Sequence, residues 1–115
     1  MISESAIRGI LALYDKHGWT LRRVLFSEDL KTDLSSRLEN LFGRVEIIQS
    51  ELDALWFSRS SRPESEAWEI RHLSETPFAL VEVIDRDFDD AERSEALRSA
   101  EIKMSGIVRS RKPGN

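Results

Sequence analysis

The chain has no cysteine, a single tyrosine and only five glycines, none of which is next to another. Without thiols it has no disulfide bond, no cysteine nucleophile and no cysteine-ligated zinc. Isolated glycines do not form the glycine-rich loops that hold nucleotide phosphates. No Gly-x-Ser-x-Gly, P-loop or His-Glu-x-x-His motif is present. We therefore assign no catalytic residue and expect no metal site and no cofactor.

Long apolar runs and an excess of basic residues are also lacking. No apolar run approaches the ~20 residues that cross a bilayer, and the N-terminus lacks the basic start of a signal peptide. A cytoplasmic protein without a membrane partner is the expectation. Because the formal net charge is −4, the chain repels polyanions overall, and nucleic acid is not an expected partner.

The apolar residues that are present indicate one folded domain. A chain of 115 residues with a 40% apolar share is long enough to bury a hydrophobic core. We place the domain at residues 1–108 and a flexible basic C-terminal tail at residues 109–115, since chain ends are ordered only where something holds them.

The spacing of apolar residues predicts an α+β fold, or a mixed α/β one. Three helices are expected, the first ending at Gly18, the second running from Asp29 to Gly43 and the last reaching Val108. The predicted order is helix, strand, helix, strand, strand, strand, helix. The first strand, helix and strand form a βαβ unit with parallel strands. The later strands form an antiparallel meander that helices cover.

Strict alternation predicts which side chains of a strand share a face. The first strand has apolar residues on both faces, which is typical of an inner strand. They are Leu21 and Leu25 on one face, and Val24 and Phe26 on the other. Further along, residues 45–50 and 52–59 form either one strand or two, and the pattern favours a break between them.

The strands of the meander differ in the polarity of their two faces. The strand around Trp68 has an apolar face and a polar face, the latter with Glu69 and Arg71. The next strand is apolar on both faces. One face has Phe78, Leu80 and Ile84, and the other has Ala79, Val81 and Val83. The second face therefore needs a cover.

Either the helices of this chain or another chain covers that second face. We expect a second copy, because two-fold dimers are the commonest oligomers of soluble proteins. The predicted interface consists of Phe57, Ala79, Val81 and Val83. The leading hypothesis is accordingly a small protein-interaction or regulatory domain, homodimeric and without catalytic activity, whose partner is itself or another protein.

A second hypothesis is a site for an anionic small molecule at the end of the meander, in a binding protein or a minor enzyme. The loop of residues 58–65 offers two arginines among serines, and guanidinium groups bind carboxylate and phosphate in bidentate fashion. The hypothesis requires five side chains to converge on one pocket. These candidate ligand-binding residues are Trp56, Arg59, Arg62, Trp68 and His72.

Three further patterns match known sites only in part. Asp85, Asp87 and Asp89 have the spacing of the first EF-hand ligands, but the glycine and last glutamate of that loop are missing. An acidic first turn of the last helix explains them better. Ser27 precedes two carboxylates, which indicates a helix cap rather than a phosphate site. Contact with nucleic acid through the arginine loop and the basic tail is a third hypothesis, which the acidic start of the last helix opposes.

Overall fold

The computed structural model describes residues 2–74 and 76–110, and it has the predicted α+β fold. A five-stranded mixed sheet lies between helices on its two faces. The elements in chain order are α1 (Glu4–Lys16), β1 (Thr20–Phe26), α2 (Glu28–Asp33), α3 (Leu38–Phe42), β2 (Glu46–Gln49), β3 (Ala54–Arg62), β4 (Ser65–His72), β5 (Ala79–Asp85) and α4 (Asp90–Ser110).

The first helix begins and ends at residues suited to those positions. The Ser3 hydroxyl accepts a hydrogen bond from the N–H of Ala6 at 3.1 Å and so satisfies a donor that the first turn leaves free. Gly18 follows the helix with a φ of 81°, which glycine adopts without strain. The spacing of Ile7, Ile10, Leu11 and Tyr14 predicts a helix with one buried stripe. Ile7 and Tyr14 are indeed buried against the sheet.

The helix predicted from Asp29 to Gly43 is two shorter helices. α2 ends at Asp33 and α3 begins at Leu38. Two serines, Ser35 and Ser36, lie in the turn between them, and serine side chains compete with helical backbone hydrogen bonds. The prediction of one continuous helix is wrong at this turn, although both pieces bury leucines in the same core.

The strands lie in the order β2-β1-β3-β4-β5. β1 and β2 are parallel, and every other neighbouring pair is antiparallel, which confirms the predicted βαβ unit and meander. Residues 45–50 and 52–59 form two separate strands, β2 and β3, as the pattern favoured. Between them, Asp53 accepts hydrogen bonds from the N–H and the hydroxyl of Ser27, at 2.6 and 3.2 Å. These bonds hold the start of β3 beside the end of β1, so that β2 and β5 become the two edges of the sheet.

A β-bulge in β1 changes the expected phase of that strand. The pairing of β1 with β3 shifts register between Leu21 and Arg23, which leaves Arg22 as an extra residue. Leu21 therefore packs with Val24, while Leu25 packs on the opposite face. The prediction that Leu21 and Leu25 share a face is wrong, because strict alternation does not allow for a bulge.

Each face of the sheet has its own hydrophobic core. Helices α1, α2 and α3 pack on one face, termed the α1 face, and α4 packs on the other, termed the α4 face. The α4 face includes Leu80 and Ile84 of β5 and Phe78, which immediately precedes β5, as predicted. The residues of α4 buried there are Leu97, Ala100 and Met104.

On the α1 face, the helices leave most of the edge strand β5 uncovered. Val81 and Val83 are 55% and 64% exposed, and Ala67 of β4 lies beside Val83. We term Ala67, Ala79, Val81 and Val83 the open strip. Within residues 2–74 and 76–110, no helix covers the apolar second face of β5, so the alternative in which the helices of this chain cover both faces of every strand does not hold for the described residues.

The last helix is longer than predicted. α4 continues to Ser110, so that the first two residues of the predicted tail are helical, and residues 111–115 lie outside the described part of the chain. Arg109 forms an ion pair with Glu51 at 3.1 Å, which joins this end of α4 to the β2–β3 connection. In the described ranges no helix is both long and apolar enough to span a membrane.

Candidate functional site

A cavity of about 520 Å³ lies on the α1 face, between α1 and the outer strands β4 and β5. α1 forms one wall, β4 forms the floor, and the segment leading into β5 forms the other wall. The apolar lining includes Ile10, Leu13, Trp19, Phe78 and Ala79. The polar side chains at the cavity are Tyr14, His17, Arg59, Glu69 and Arg71. This combination of apolar walls and charged groups is typical of small-molecule sites.

Tyr14 joins the helix wall to the floor of the cavity. Its ring stacks on Phe57, with centroids 4.0 Å apart and planes inclined by 12°. Its hydroxyl donates a hydrogen bond to the Glu69 carboxylate. Burial of the phenol raises the pKa of Tyr14 above its ordinary value, and the hydrogen bond to Glu69 raises that pKa further. The phenol therefore keeps its proton above its ordinary pKa, and its hydrogen bond holds the Glu69 carboxylate in place.

Arg71 is the most buried cation at the cavity. Its residue is 9% exposed, and its Nη1 group donates a hydrogen bond to the His72 carbonyl oxygen. Among the residues that the structure describes, no carboxylate lies within ion-pairing distance of this guanidinium. Buried arginines are usually paired. The sequence pattern had placed Arg71 on a wet strand face, which is wrong because α1 stands beside that face.

Arg59 supplies a second cation at the rim. Its guanidinium lies 4.9 Å from the centroid of the Trp19 ring, and its Nη1 group donates a hydrogen bond to the His17 carbonyl oxygen at 3.1 Å. Both contacts fix the orientation of the guanidinium at the end of α1. Arg59 is the one residue of the predicted ligand set that lines this cavity.

The structure does not bring the five predicted ligand residues together. Trp56 and Trp68 are 0% and 1% exposed and pack edge to face on the α4 face, with ring centroids 6.2 Å apart. Arg62 pairs with the start of β4 at the hairpin end, and His72 pairs with the start of β3 at the opposite end. His72 also contacts Ser74, at 3.0 Å from its Nδ1. The set therefore spans two faces and both ends of the meander.

Trp68 is enclosed by the second core rather than exposed to a ligand. The guanidinium groups of Arg22 and Arg93 lie 4.5 and 5.7 Å from the centroid of its ring. Arg22 reaches this position because the bulge turns it toward the α4 face, where it also donates a hydrogen bond to the Ser58 hydroxyl at 3.0 Å. Two cation–π contacts thus close the edge of this core.

The predicted interface residues differ in their accessibility. Ala79, Val81 and Val83 belong to the open strip. Phe57 is 2% exposed and lies beneath the ring of Tyr14, so it is not available to another chain. The sequence placed Phe57 on the same face as the open strip but contained no sign that α1 covers this part of that face.

The remaining sequence patterns have local structural roles. Ser27 caps α2, its hydroxyl accepting from the N–H of Leu30 at 3.3 Å, as predicted. Asp89 and Glu92 form a reciprocal cap at the start of α4, with N–H to oxygen distances of 3.2 and 2.8 Å. In residues 2–74 and 76–110, no group of three histidines or carboxylates is placed to hold a metal ion.

The sequence reasoning missed most residues of the cavity, among them Tyr14, Trp19, Glu69 and Arg71. Glu69 and Arg71 were recognised as neighbours on one strand face, and Tyr14 as part of the buried helical stripe. The missing information was the position of α1 over that strand face. Side chains from three separate segments meet there only after the sheet has formed.

No protein-family model matches the chain, and comparisons with curated proteins and with solved structures found no similar protein. The fold and the site define the class as an α+β domain with an incompletely covered sheet face. Beside that open area lies a cavity with apolar walls and two arginines.

The ionisation of Tyr14 provides a direct test of the cavity structure. Below pH 10.0, the ordinary pKa of the phenol, both folded and unfolded chains keep the proton. Above it the unfolded chain loses the proton first, because the folded pKa is raised. We expect the Tyr14 contribution to the free energy of unfolding to be constant below that pH. Above it, stability should fall by up to about 1.4 kcal/mol per pH unit until the folded phenol also ionises.

Tyr14 is the only tyrosine, so the ultraviolet absorbance of tyrosinate reports its ionisation without interference from another phenol. The control is Tyr14→Phe, which keeps the ring on Phe57 and removes the proton. The difference in alkaline stability between the two proteins is the contribution of the phenol, because every other titratable group is present in both. A tyrosinate titration at the ordinary pKa would contradict the buried hydrogen bond to Glu69.

Proposed function

We propose that this chain is a protein-interaction domain without catalytic activity, which forms a homodimer through the open strip. The observation behind the proposal is the exposure of two apolar side chains on one edge strand, 55% for Val81 and 64% for Val83. Neighbouring apolar groups on the surface of a folded protein are typical of interaction sites.

The β5 edge has few of the features that keep other chains away. Its seven residues pair with β4 in continuous register, and they include neither lysine nor proline. Natural edge strands are commonly protected by such residues, by bulges or by being very short. The opposite edge, β2, has only four residues. β5 is therefore the longer and less protected edge strand, although it carries two carboxylates, Glu82 and Asp85, and its open face is the surface left for a second copy.

A second copy fits the open strip because each copy offers the same uncovered strand, β5, with Ala67 of β4 beside the same helix. Stacked sheets lie ~10 Å apart, and a helix with its side chains is ~10 Å across. In a face-to-face two-fold arrangement, the outer strands of each copy thus lie in the layer of α1 of the other. Leu13, which is 55% exposed on the cavity side of α1, then meets the second copy. A two-fold interface repeats this contact on both sides.

The expected dimer is weak. Two strands of eight and seven residues present a face of roughly 10 by 25 Å, which is less than the ~800 Å² per partner of a standard interface. Contacts of Leu13 add to this area without reaching the size of an obligate interface. We therefore expect a concentration-dependent dimer with a Kd in the micromolar range.

Size-exclusion chromatography with light scattering tests the proposal. At ~100 μM the wild type should approach twice the chain mass of 13.3 kDa, given the small interface. Val83→Lys should raise the Kd about tenfold or more, because it places a charge at the centre of the apolar contact.

The matched control is Ile102→Lys, which changes a residue of equal exposure, 63%, on α4. This variant should dimerise like the wild type, since α4 lies on the opposite face of the sheet. A wild-type protein that stays monomeric at this concentration would end the homodimer proposal. Equal weakening by both lysines would show that the open strip is not the interface.

A further inference from the structure

We infer that the cavity between α1 and the outer strands binds a small organic monoanion, a carboxylate with an apolar body that includes one aromatic ring. The cavity is formed within one chain, so the inference does not depend on the proposed dimer. Because Leu13 and Ala79 line the cavity and also belong to the proposed dimer contact, the ligand and the second copy compete for this surface. Three observations support it: a buried arginine without a carboxylate partner among the described residues, the balance of charge, and the apolar walls.

Arg71 provides the site for the carboxylate. Its residue is nine-tenths buried at the cavity floor, and among the described residues its hydrogen bond is the one from Nη1 to the His72 carbonyl oxygen. The other edge of the guanidinium, Nε and Nη2, has the geometry that binds both oxygens of a carboxylate. An anion there compensates a charge whose burial is otherwise costly.

The charges at the cavity favour one negative charge on the ligand. Arg59 and Arg71 are cationic, and Glu69 is the carboxylate on the same floor. Glu69 accepts the Tyr14 hydroxyl, which orients it toward α1. The two arginines and Glu69 leave one net positive charge, which a monoanion neutralises. Glu69 repels a second negative charge, which disfavours phosphate dianions.

The walls of the cavity determine the body of the ligand. Leu13 and Ile10 on α1 lie across from Phe78 and Ala79, and the Trp19 ring closes the end near Arg59. A volume of about 520 Å³ is within the range of pockets that hold small organic ligands. Aromatic and aliphatic walls on both sides favour a flat apolar group between them.

Isothermal titration calorimetry with phenylbutyrate tests the inference, and phenylbutyramide is the neutral control of the same shape. We expect phenylbutyrate to bind and the amide to bind more weakly by about tenfold or more, since the amide lacks the negative charge that pairs with Arg71. The titration is repeated on Val83→Lys, so that its outcome is separate from that of the dimer proposal.

Two variants locate the site. Arg71→Met should reduce phenylbutyrate affinity about tenfold or more, whereas Arg62→Met, at the hairpin tip, should not change it. If Arg71→Met does not fold, Leu13→Glu replaces it. Leu13 is 55% exposed, so this change is tolerated by the fold and adds a repelling carboxylate to the cavity wall.

Each result decides for or against the site. Binding of phenylbutyrate that is lost in Arg71→Met or Leu13→Glu, and kept in Arg62→Met, supports it. Equal affinity for the acid and the amide would overturn the assignment of Arg71 as the anion site. Absence of phenylbutyrate binding at millimolar concentration would overturn the inference, whatever the result for the dimer.

Discussion

Replacing Trp56 by alanine is expected to lower the free energy of unfolding by about 3–5 kcal/mol. Trp56 is 0% exposed at the centre of the α4 face, and it packs against Trp68. Its indole N–H donates to the Glu101 carboxylate at 2.8 Å. The alanine variant leaves a large cavity between β3 and α4 and removes the hydrogen-bond donor from that carboxylate. Urea unfolding followed by circular dichroism measures the change.

Trp19→Ala is the matched control for this substitution. Trp19 is only partly buried at the end of the cavity beside α1, so the same change of side chain should cost clearly less. If the Trp56→Ala variant does not fold, Trp56→Phe takes its place. It keeps an aromatic ring in the core and removes the indole N–H, with an expected loss of about 1–2 kcal/mol. Equal costs for the two alanine substitutions would show that Trp56 is not a core residue.

Leu97→Ala should have a comparably large effect, with a loss of about 2–5 kcal/mol in the free energy of unfolding. Leu97 is fully buried, and α4 packs on β4 and β5 and on Trp56 of β3. Removing three carbon atoms from this side chain leaves an unfilled space under α4, because the surrounding core relaxes only in part. Denaturant midpoints at constant slope give the loss directly.

Ile102→Ala in the same helix is the control for Leu97→Ala. Ile102 is 63% exposed, and alanine is the better helix former, so its stability should change by less than about 0.5 kcal/mol. A small effect at Leu97 together with a large one at Ile102 would mean that α4 packs on the sheet with its other side.

The helices and strands themselves were predictable because each depends on local patterns. The first helix has its cap at Ser3 and its stop at Gly18, and the three meander strands alternate as expected. Two local events were not predictable from apolar spacing. The turn at Ser35 interrupts a helical pattern that looks continuous, and the bulge at Arg22 adds a residue to a strand.

The candidate site was less predictable than the fold. Arginines in a hairpin and a histidine beside a tryptophan suggested a pocket at the end of the meander. Alternation could not show that Trp56 and Trp68 face the helix α4, while Arg59 faces α1. Nor could it show that Arg71, on the floor of the cavity, would be nine-tenths buried. Burial of a polar side chain depends on elements that are distant in the chain.

The sequence by itself determined the α+β class, the parallel and antiparallel pairs, and the two apolar faces of β5. These properties follow from the period of apolar residues and from capping and turn residues, which act over a few positions. Only the tertiary structure decided that α1 covers β3 but stops short of β5, leaving Val81 and Val83 exposed and Arg71 at the base of a cavity. The reason is geometric: where a helix lies on a sheet depends on packing between surfaces that no local pattern specifies.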